Sequence, residues 1–204
     1  FFIQHESPHM KQHREDNERR EDERITNHNS LLAGTVIELP LSFAATLDSL
    51  TMLDLRFCAG LMKLPANIGK LFSLQSLMIS NVGFESLPNS ICDLERLEVF
   101  VMFDCRKVRA LPNEFGLSMP SLKEVKVVAC DSLVSIPDGI GTSATLEVFS
   151  CRGCMVLESL PSSFRNAPQL RSLIASGCRK LEALPDCTGL TMLNELELGR
   201  CGLE

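Results

Sequence analysis

Nine cysteines are the residues of this chain that most suggest chemistry, because thiolates bind zinc and exchange disulfides. Cys151 and Cys154 stand in a Cys-Arg-Gly-Cys stretch, which has the spacing of a redox pair or of half a zinc site. The same stretch belongs to a regular pattern of hydrophobic positions, in which Cys151 takes the place that Leu55 and Ile79 hold elsewhere. We therefore expect both thiols to be reduced, structural groups that bind no metal.

Two other groups of side chains have spacings that metal sites or acid catalysis use. His5, His9 and His13 recur every four residues, but no cysteine or carboxylate pocket encloses them. A solvated segment is therefore a simpler interpretation than a metal site. Glu195 and Glu197 are two residues apart, so they share one face of a predicted strand, and acidic residues are common on solvated strand faces. No glycine-rich phosphate loop is found either. The sequence thus predicts a protein that is not an enzyme, with no catalytic, cofactor-binding or metal-binding residues.

The charge of the chain argues against several kinds of partner. The formal net charge of −6 and the isoelectric point near 5.3 do not supply the positive surface that nucleic acids or acidic membranes need. No signal-peptide pattern opens the sequence, and reduced thiols fit the cytoplasm. Between Lys11 and Arg24, eleven of fourteen residues are charged, which favours a disordered tail over residues 1–30 and a folded domain over residues 31–204.

Within residues 31–204 the sequence repeats with a period of 23 to 25 residues, inside the range of leucine-rich repeats. We predict a partial N-terminal repeat that contains Val36, then six full repeats and a truncated seventh. The opening residues of the seven units are Leu50, Leu74, Leu97, Leu122, Leu146, Leu170 and Leu193.

Each unit has the same internal pattern. Apolar residues three and five positions after the opening leucine, such as Leu53 and Leu55, indicate a short strand with one buried face. A Leu-Pro step follows, and since proline has no N–H to donate, it indicates an irregular or 3₁₀ turn. We predict an α/β solenoid, a leucine-rich-repeat horseshoe with one parallel strand per repeat on its concave face and irregular or 3₁₀ turns on its convex face.

Six of the nine cysteines fall at one repeat position, eight residues after the opening leucine. Val82 takes this position in the second unit, so the position tolerates an apolar group, and we expect the thiols to be buried packing groups. The six are Cys58, Cys105, Cys130, Cys154, Cys178 and Cys201.

The strand residues that point away from the core, two, four and six positions after each opening leucine, are expected to line the concave surface. They are polar or charged in the end units and apolar in the middle, and an apolar group ringed by polar residues is typical of a protein interface. An adjoining domain that covers the apolar group is the alternative. The predicted partner-binding residues are Met78, Val99, Val101, Phe103, Lys126, Val128, Val148, Arg152 and Ile174.

The repeat can be written LxxLxLxxCxxLxxLPxxIxxL, as residues 50–71 show. Over residues 36–204 the chain resembles the C-terminal repeat domain of plant intracellular disease-resistance receptors of the nucleotide-binding leucine-rich-repeat class. The resemblance implies a cytoplasmic sensing or autoregulatory module that contacts a pathogen effector, a guarded host protein or the receptor's own nucleotide-binding domain. The alternative is a free-standing intracellular signalling scaffold similar to the plant Ras-group leucine-rich-repeat proteins, which use the same Leu-Pro step. A phosphate-loop motif upstream would favour the receptor.

Overall fold

A computed structural model describes residues 39–203, and these residues form a solenoid with one strand in each repeat. A short α-helix comes first, and the seven strands that follow make a single sheet. The elements are α1 (Leu41–Thr46), β1 (Met52–Leu55), β2 (Ser76–Ser80), β3 (Val99–Phe103), β4 (Glu124–Val128), β5 (Val148–Ser150), β6 (Ser172–Ile174) and β7 (Glu195–Glu197).

All seven strands are parallel, and their order in the sheet is their order in the sequence. The register joins equivalent repeat positions, so that Leu53 pairs with Leu77, Leu77 with Phe100, and Phe100 with Val125. Because side chains alternate across a strand, this register keeps the core residues on one face, and burial alternates residue by residue in β3 and β4. The predicted leucine-rich-repeat fold is confirmed.

The segments after the Leu-Pro steps form the side of the solenoid opposite the sheet. Four of them contain 3₁₀ helices within the described residues: Ile68–Lys70, Asn89–Asp93, Asp138–Thr142 and Ser162–Asn166. Proline directly precedes the last three, and its carbonyl accepts the first turn's hydrogen bond, as from the Phe164 N–H to Pro161 O at 3.2 Å. The third and sixth units make turns after Pro112 and Pro185 without a 3₁₀ helix, and α1 after Pro40 is α-helical. The predicted 3₁₀ turns therefore occur in four units.

Two pairs of phenylalanine rings join the sheet to these outer turns. Phe100 and Phe115 are fully buried with ring centroids 4.9 Å apart, and Phe149 and Phe164 repeat the arrangement two units later at the same distance. Tilted and edge-on pairs at this separation are favourable beyond the area that they bury. Each pair therefore connects a strand with the turn of its own repeat across the core.

The second unit departs from the repeat pattern just after its strand. Phe84 is buried two residues after Val82, whereas Leu61 follows the equivalent Cys58 by three residues. The loop is therefore one residue shorter than in the first unit, and a larger side chain fills the core. The sequence pattern did not assign Phe84 to the core, because its position is out of phase with the other units.

A left-handed backbone residue ends every strand segment, seven positions after the opening leucine. The bend turns the chain out of the sheet while the ladder of hydrogen bonds continues, as from the Asp104 N–H to Val128 O at 2.9 Å. Glycine adopts this conformation without steric cost, and other residues pay for it. The residues are Phe57, Asn81, Asp104, Ala129, Gly153, Gly177 and Arg200, with φ between 51° and 84°.

Replacing Gly153 with alanine should lower the free energy of unfolding by about 1 kcal/mol, through backbone strain alone. The φ of Gly153 is 75°, and an added Cβ would meet its nearest atom, the Ala129 Cα, at an ordinary 3.6 Å. Gly199→Ala is the matched control, because no atom lies within 4 Å of its added Cβ and its φ is outside the left-handed region. Urea denaturation measures both variants, and equal losses of stability would contradict the role assigned to the bend.

Some sequence predictions lie outside the described residues. These are the disordered tail over residues 1–30, the histidines His5, His9 and His13 within it, and Val36 of the partial repeat. No helix among residues 39–203 is long and apolar enough to cross a lipid bilayer.

Candidate functional site: the concave strand face

Five of the predicted partner-binding residues form a continuous group on β2, β3 and β4, here called the apolar centre. Val99, Val101 and Phe103 share the outward face of β3, where the register places Met78 beside Val101 and Val128 beside Phe103. All five side chains are partly buried, because parallel neighbours lie only about 4.8 Å away across the sheet. The apolar centre is thus a smooth surface of partly exposed side chains, and none of the five protrudes freely.

Two further predicted residues, Val148 and Ile174, lie on the same face but do not extend the apolar centre. In the register, Glu124 lies between Val99 and Val148. Ile174 pairs with Ser150, which in turn pairs with Lys126, so no apolar neighbour connects it to the apolar centre. Both apolar side chains are partly buried. The structure therefore divides the apolar residues of the prediction into one group of five and two outlying members.

The two predicted basic residues are engaged with carboxylates of the same face. Lys126 Nζ lies 2.7 Å from Glu124 Oε1. Arg152 donates to Glu197 Oε2, and its Nε donates to Ser176 Oγ at 3.2 Å. The two-residue spacing of Glu124 and Lys126 could have revealed the first pair in the sequence, but Arg152 and Glu197 are two repeats apart and only the register brings them together.

Several outward positions carry serines that are buried in spite of pointing away from the core. Ser76, Ser80, Ser150 and Ser172 are at most 9% exposed, since larger neighbours on adjacent strands cover them. The Ser80 hydroxyl accepts a hydrogen bond from the Phe57 N–H at 3.0 Å, so it also supports the left-handed bend. These serines form the floor of the concave face, although the sequence pattern predicts exposed side chains at their positions.

The acidic residues at the two ends of the face are likewise bound. Arg56 contacts both carboxylate oxygens of Asp54, and this hydrogen bonding lowers the pKa of Asp54. At the other end, Ser172 donates to Glu195 Oε2 at 2.5 Å, while Glu197 is bound by Arg152. Glu195 and Glu197 thus have different partners.

Charges alternate in sign along the edge where the strands begin. Lys123 Nζ lies 2.7 Å from Glu98 Oε2, and this hydrogen bond together with the charge of Glu98 raises the pKa of Lys123. In the next two units Arg171 Nε lies 3.7 Å from Glu147 Oε2. Surface pairs of this kind contribute little stability individually, but they leave this edge of the sheet nearly neutral.

The repeated cysteine position binds one turn of the solenoid to the previous turn. The Cys154 thiol donates to Val127 O at 2.9 Å, and the Cys178 thiol donates to Cys151 O at 3.0 Å. Thiols are weak donors, so burial and packing contribute most of their effect. Four of the six are fully buried: Cys105, Cys130, Cys154 and Cys178.

The Cys-Arg-Gly-Cys stretch does not have the geometry of a metal or redox site. Cys151 and Cys154 are fully buried, and each points into a different part of the repeat stack. Among residues 39–203 no three His, Cys, Asp or Glu side chains lie close enough to hold a metal ion together. A hydrogen bond with Cys178 and burial raise the pKa of Cys151. Burial also raises the pKa of Cys92 to about 11, and it raises the pKa of Cys58 and Cys187. These four thiols stay protonated at neutral pH, which disfavours nucleophilic or metal chemistry at their own positions.

A cleft of about 820 Å³ lies away from the concave face, between the segments that precede β2 and β3. Phe72, which is 63% exposed, lines it together with Asp93 and Arg96. Two polar atoms of its walls, Asn67 Oδ1 and Ser90 Oγ, have no hydrogen-bond partner among the described residues, but they are buried beneath its surface. The cleft therefore offers mixed charges without converging polar groups.

Comparison with known proteins confirms the predicted resemblance to plant resistance proteins. The chain is 29% identical over 110 residues to TMV resistance protein N of Nicotiana glutinosa, covering 53% of this chain and 10% of that relative. It is 38% identical over 87 residues to disease resistance-like protein DSC1 of Arabidopsis thaliana, covering 43% of this chain and 7% of that relative. The aligned segments are thus a small part of both relatives. No family model matches the chain.

Solved structures support the same fold. The leucine-rich repeat domain of the type III effector XopL superposes with a TM-score of 0.52 at 24% identity, covering 79% of this chain and 63% of that one. At this identity the likeness concerns the fold alone. A parallel leucine-rich-repeat sheet of this kind typically serves as a scaffold for protein binding, which agrees with the surface described above.

Proposed function

We propose that this chain is the recognition module of a plant immune receptor, acting in the cytoplasm, and that its concave face contacts a protein partner. The observation that carries the proposal is the apolar centre, which lies on the middle strands while the end strands present paired charges. A surface that is apolar in the middle and polar at its margin resembles a protein interface. The similarity to two plant resistance proteins supports the immune setting.

In this proposal the contact surface consists of the apolar centre and the residues beside it. Val99, Val101 and Phe103 contribute most of the buried area on binding, and Lys126 and Arg152, each held by a glutamate, lie beside the partner. The module binds and does not catalyse. Its partner is a pathogen effector, a guarded host protein or the nucleotide-binding domain of the same receptor.

Site-specific photocrosslinking tests the proposal and distinguishes these partners. With p-benzoylphenylalanine in place of Phe103, irradiation in plant tissue that expresses the full receptor should give covalent products identifiable by mass spectrometry. The control places the same group at Phe72, an exposed phenylalanine that lies outside the strands. Products that form at Phe103 and not at Phe72 support recognition through the concave face, and the peptides recovered tell an external partner from the receptor's own domain. Identical products at both positions would refute it.

A further inference from the structure

The charged side chains of the concave face are all engaged by other residues of the same face. At the outward positions, two, four and six residues after each opening leucine, each base contacts an acid: Arg56 with Asp54, Lys126 with Glu124, and Arg152 with Glu197. The remaining acid, Glu195, accepts a hydrogen bond from Ser172. Of the charged side chains at these positions, Glu195 alone has no base beside it, and it lies on β7, at the end of the described face.

The outward positions of β2 and β3 hold no charge, and the nearest charges are the paired Glu124 and Lys126 on β4, beside Val99 and Val101. The outward positions of β2 and β3 are three apolar residues on β3 and Met78 between two serines on β2. The Ser80 hydroxyl is already bound to the Phe57 N–H, and Ser76 is buried beneath its neighbours. A partner that reaches this area therefore meets partly buried hydrocarbon and few accessible polar groups.

This arrangement restricts the chemistry of a partner. A charged side chain brought onto the apolar centre would lose its hydration and find no unpaired opposite charge, unless one of the existing pairs broke. Unpaired charges of one sign speed association and make it sensitive to salt, and the outward positions of β1 to β4 lack them. A neutral apolar side chain, in contrast, gains the full benefit of burial.

We infer that the partner of the concave face presents an uncharged, apolar segment of its chain, and that its binding depends little on ionic strength. This inference rests on the proposed function, because it describes the occupant of the same surface. The apolar centre spans three strands, or about 10 Å across the sheet, and about 13 Å along β3, which suits a short peptide segment of a protein.

Three short synthetic peptides test the inference. All carry phenylalanine, leucine and valine at alternate positions, and the positions between them are all glutamine, all glutamate or all lysine. Binding to the full chain is measured by fluorescence anisotropy at about 0.1 M and about 1 M sodium chloride, between which the Debye length falls from about 10 Å to about 3 Å. We expect the glutamine peptide to bind at least about tenfold more tightly than the other two, and its affinity to change by less than about twofold with salt.

A variant in which one ion pair is broken shows whether the pairing of charges is the reason why the glutamate peptide binds weakly. Glu124→Gln removes the carboxylate from Lys126, so the glutamate peptide should gain about tenfold in affinity at low salt and lose that gain at high salt. Glu114→Gln, an exposed acid on an outer turn, is the matched control and should change nothing.

The outcomes separate this inference from the proposed function. If the glutamate or lysine peptide binds the parent chain most tightly, or if the glutamine peptide does not bind measurably, the inference is wrong. If all three peptides bind equally well to a chain with aspartate at Val101 and Phe103, the concave face is not the binding surface and the proposed function fails as well.

Discussion

Replacing Phe100 with alanine should lower the free energy of unfolding by about 3 to 5 kcal/mol. The Phe100 ring is fully buried, and its centroid lies 4.9 Å from that of Phe115, so it joins β3 to the outer turn of its own repeat. The substitution removes the transfer free energy of the ring and leaves a cavity that the flanking strands cannot close without losing their register. The aromatic contact with Phe115 is lost in addition.

The effect should extend beyond the third repeat, because each unit of a solenoid is stabilised by its neighbours. Urea denaturation measures the loss, and hydrogen exchange should show faster opening of β2 and β4 as well as of β3. Phe72→Ala is the matched control, because it makes the same substitution at an exposed position. Phe72 is 63% exposed, and the loss of its ring should lower the free energy of unfolding by less than about 0.5 kcal/mol. Equal stability of the two variants would contradict the repeat alignment.

Replacing Val101 and Phe103 together with aspartate should reduce partner binding by about a hundredfold or more. Two charges would be desolvated at the middle of the interface, and the neighbouring base Lys126 is already paired with Glu124, so about 3 kcal/mol or more is lost. Both side chains are partly buried, so we expect a stability loss of about 1 to 2 kcal/mol as well. Circular dichroism and a thermal melt establish that the variant is folded before binding is measured by pull-down and calorimetry.

The same two residue types can be changed outside the strands as a control. Phe72 and Val134 are 63% and 43% exposed, and Phe72→Asp with Val134→Asp introduces the same charges away from the concave face. This control should keep full affinity. A folded concave variant that retains the partners of the parent chain would show that the apolar centre is not a binding surface for them.

A third result would favour the adjoining-domain alternative over an external partner. In that case the concave variant loses the docking of a neighbouring receptor domain and retains its external partner. Comparing both interactions in the same full-length receptor distinguishes the two, because the substitutions and the folded state are identical.

The fold could be predicted because its determinants are local and repeated. Alternating apolar residues such as Leu53 and Leu55 define a strand with one buried face wherever they occur, and the opening leucines give the period at which strands stack. Cysteine at one repeat position similarly indicated a buried packing group before any contact was known. The structure confirms the strands and their period, since an error in one unit would have shifted the register of its neighbours. It buries four of the six cysteines fully, whereas Cys58 and Cys201, in the end units, are partly exposed.

Other features depend on departures from the repeat. Phe84 enters the core through a loop shortened by one residue, and no periodic rule reveals which side chain then fills the space. The choice between a 3₁₀ helix and a simple turn after each proline also varies among units with similar sequences. The left-handed bend was missed for another reason: five different residue types besides glycine occupy it, among them Phe57 and Arg200, so composition gives no signal.

The sequence by itself determined the solenoid, the inward and outward alternation of its strands and the residues available to the concave face. Only the tertiary structure decided how those outward residues are used. Parallel stacking places Met78 beside Val101 and Val128 beside Phe103, and it brings Arg152 to Glu197 across two repeats. The reason is that alternation along a strand depends only on the bonds between successive residues. Pairing across strands joins residues more than twenty positions apart, and the register of the folded sheet decides which of them are neighbours.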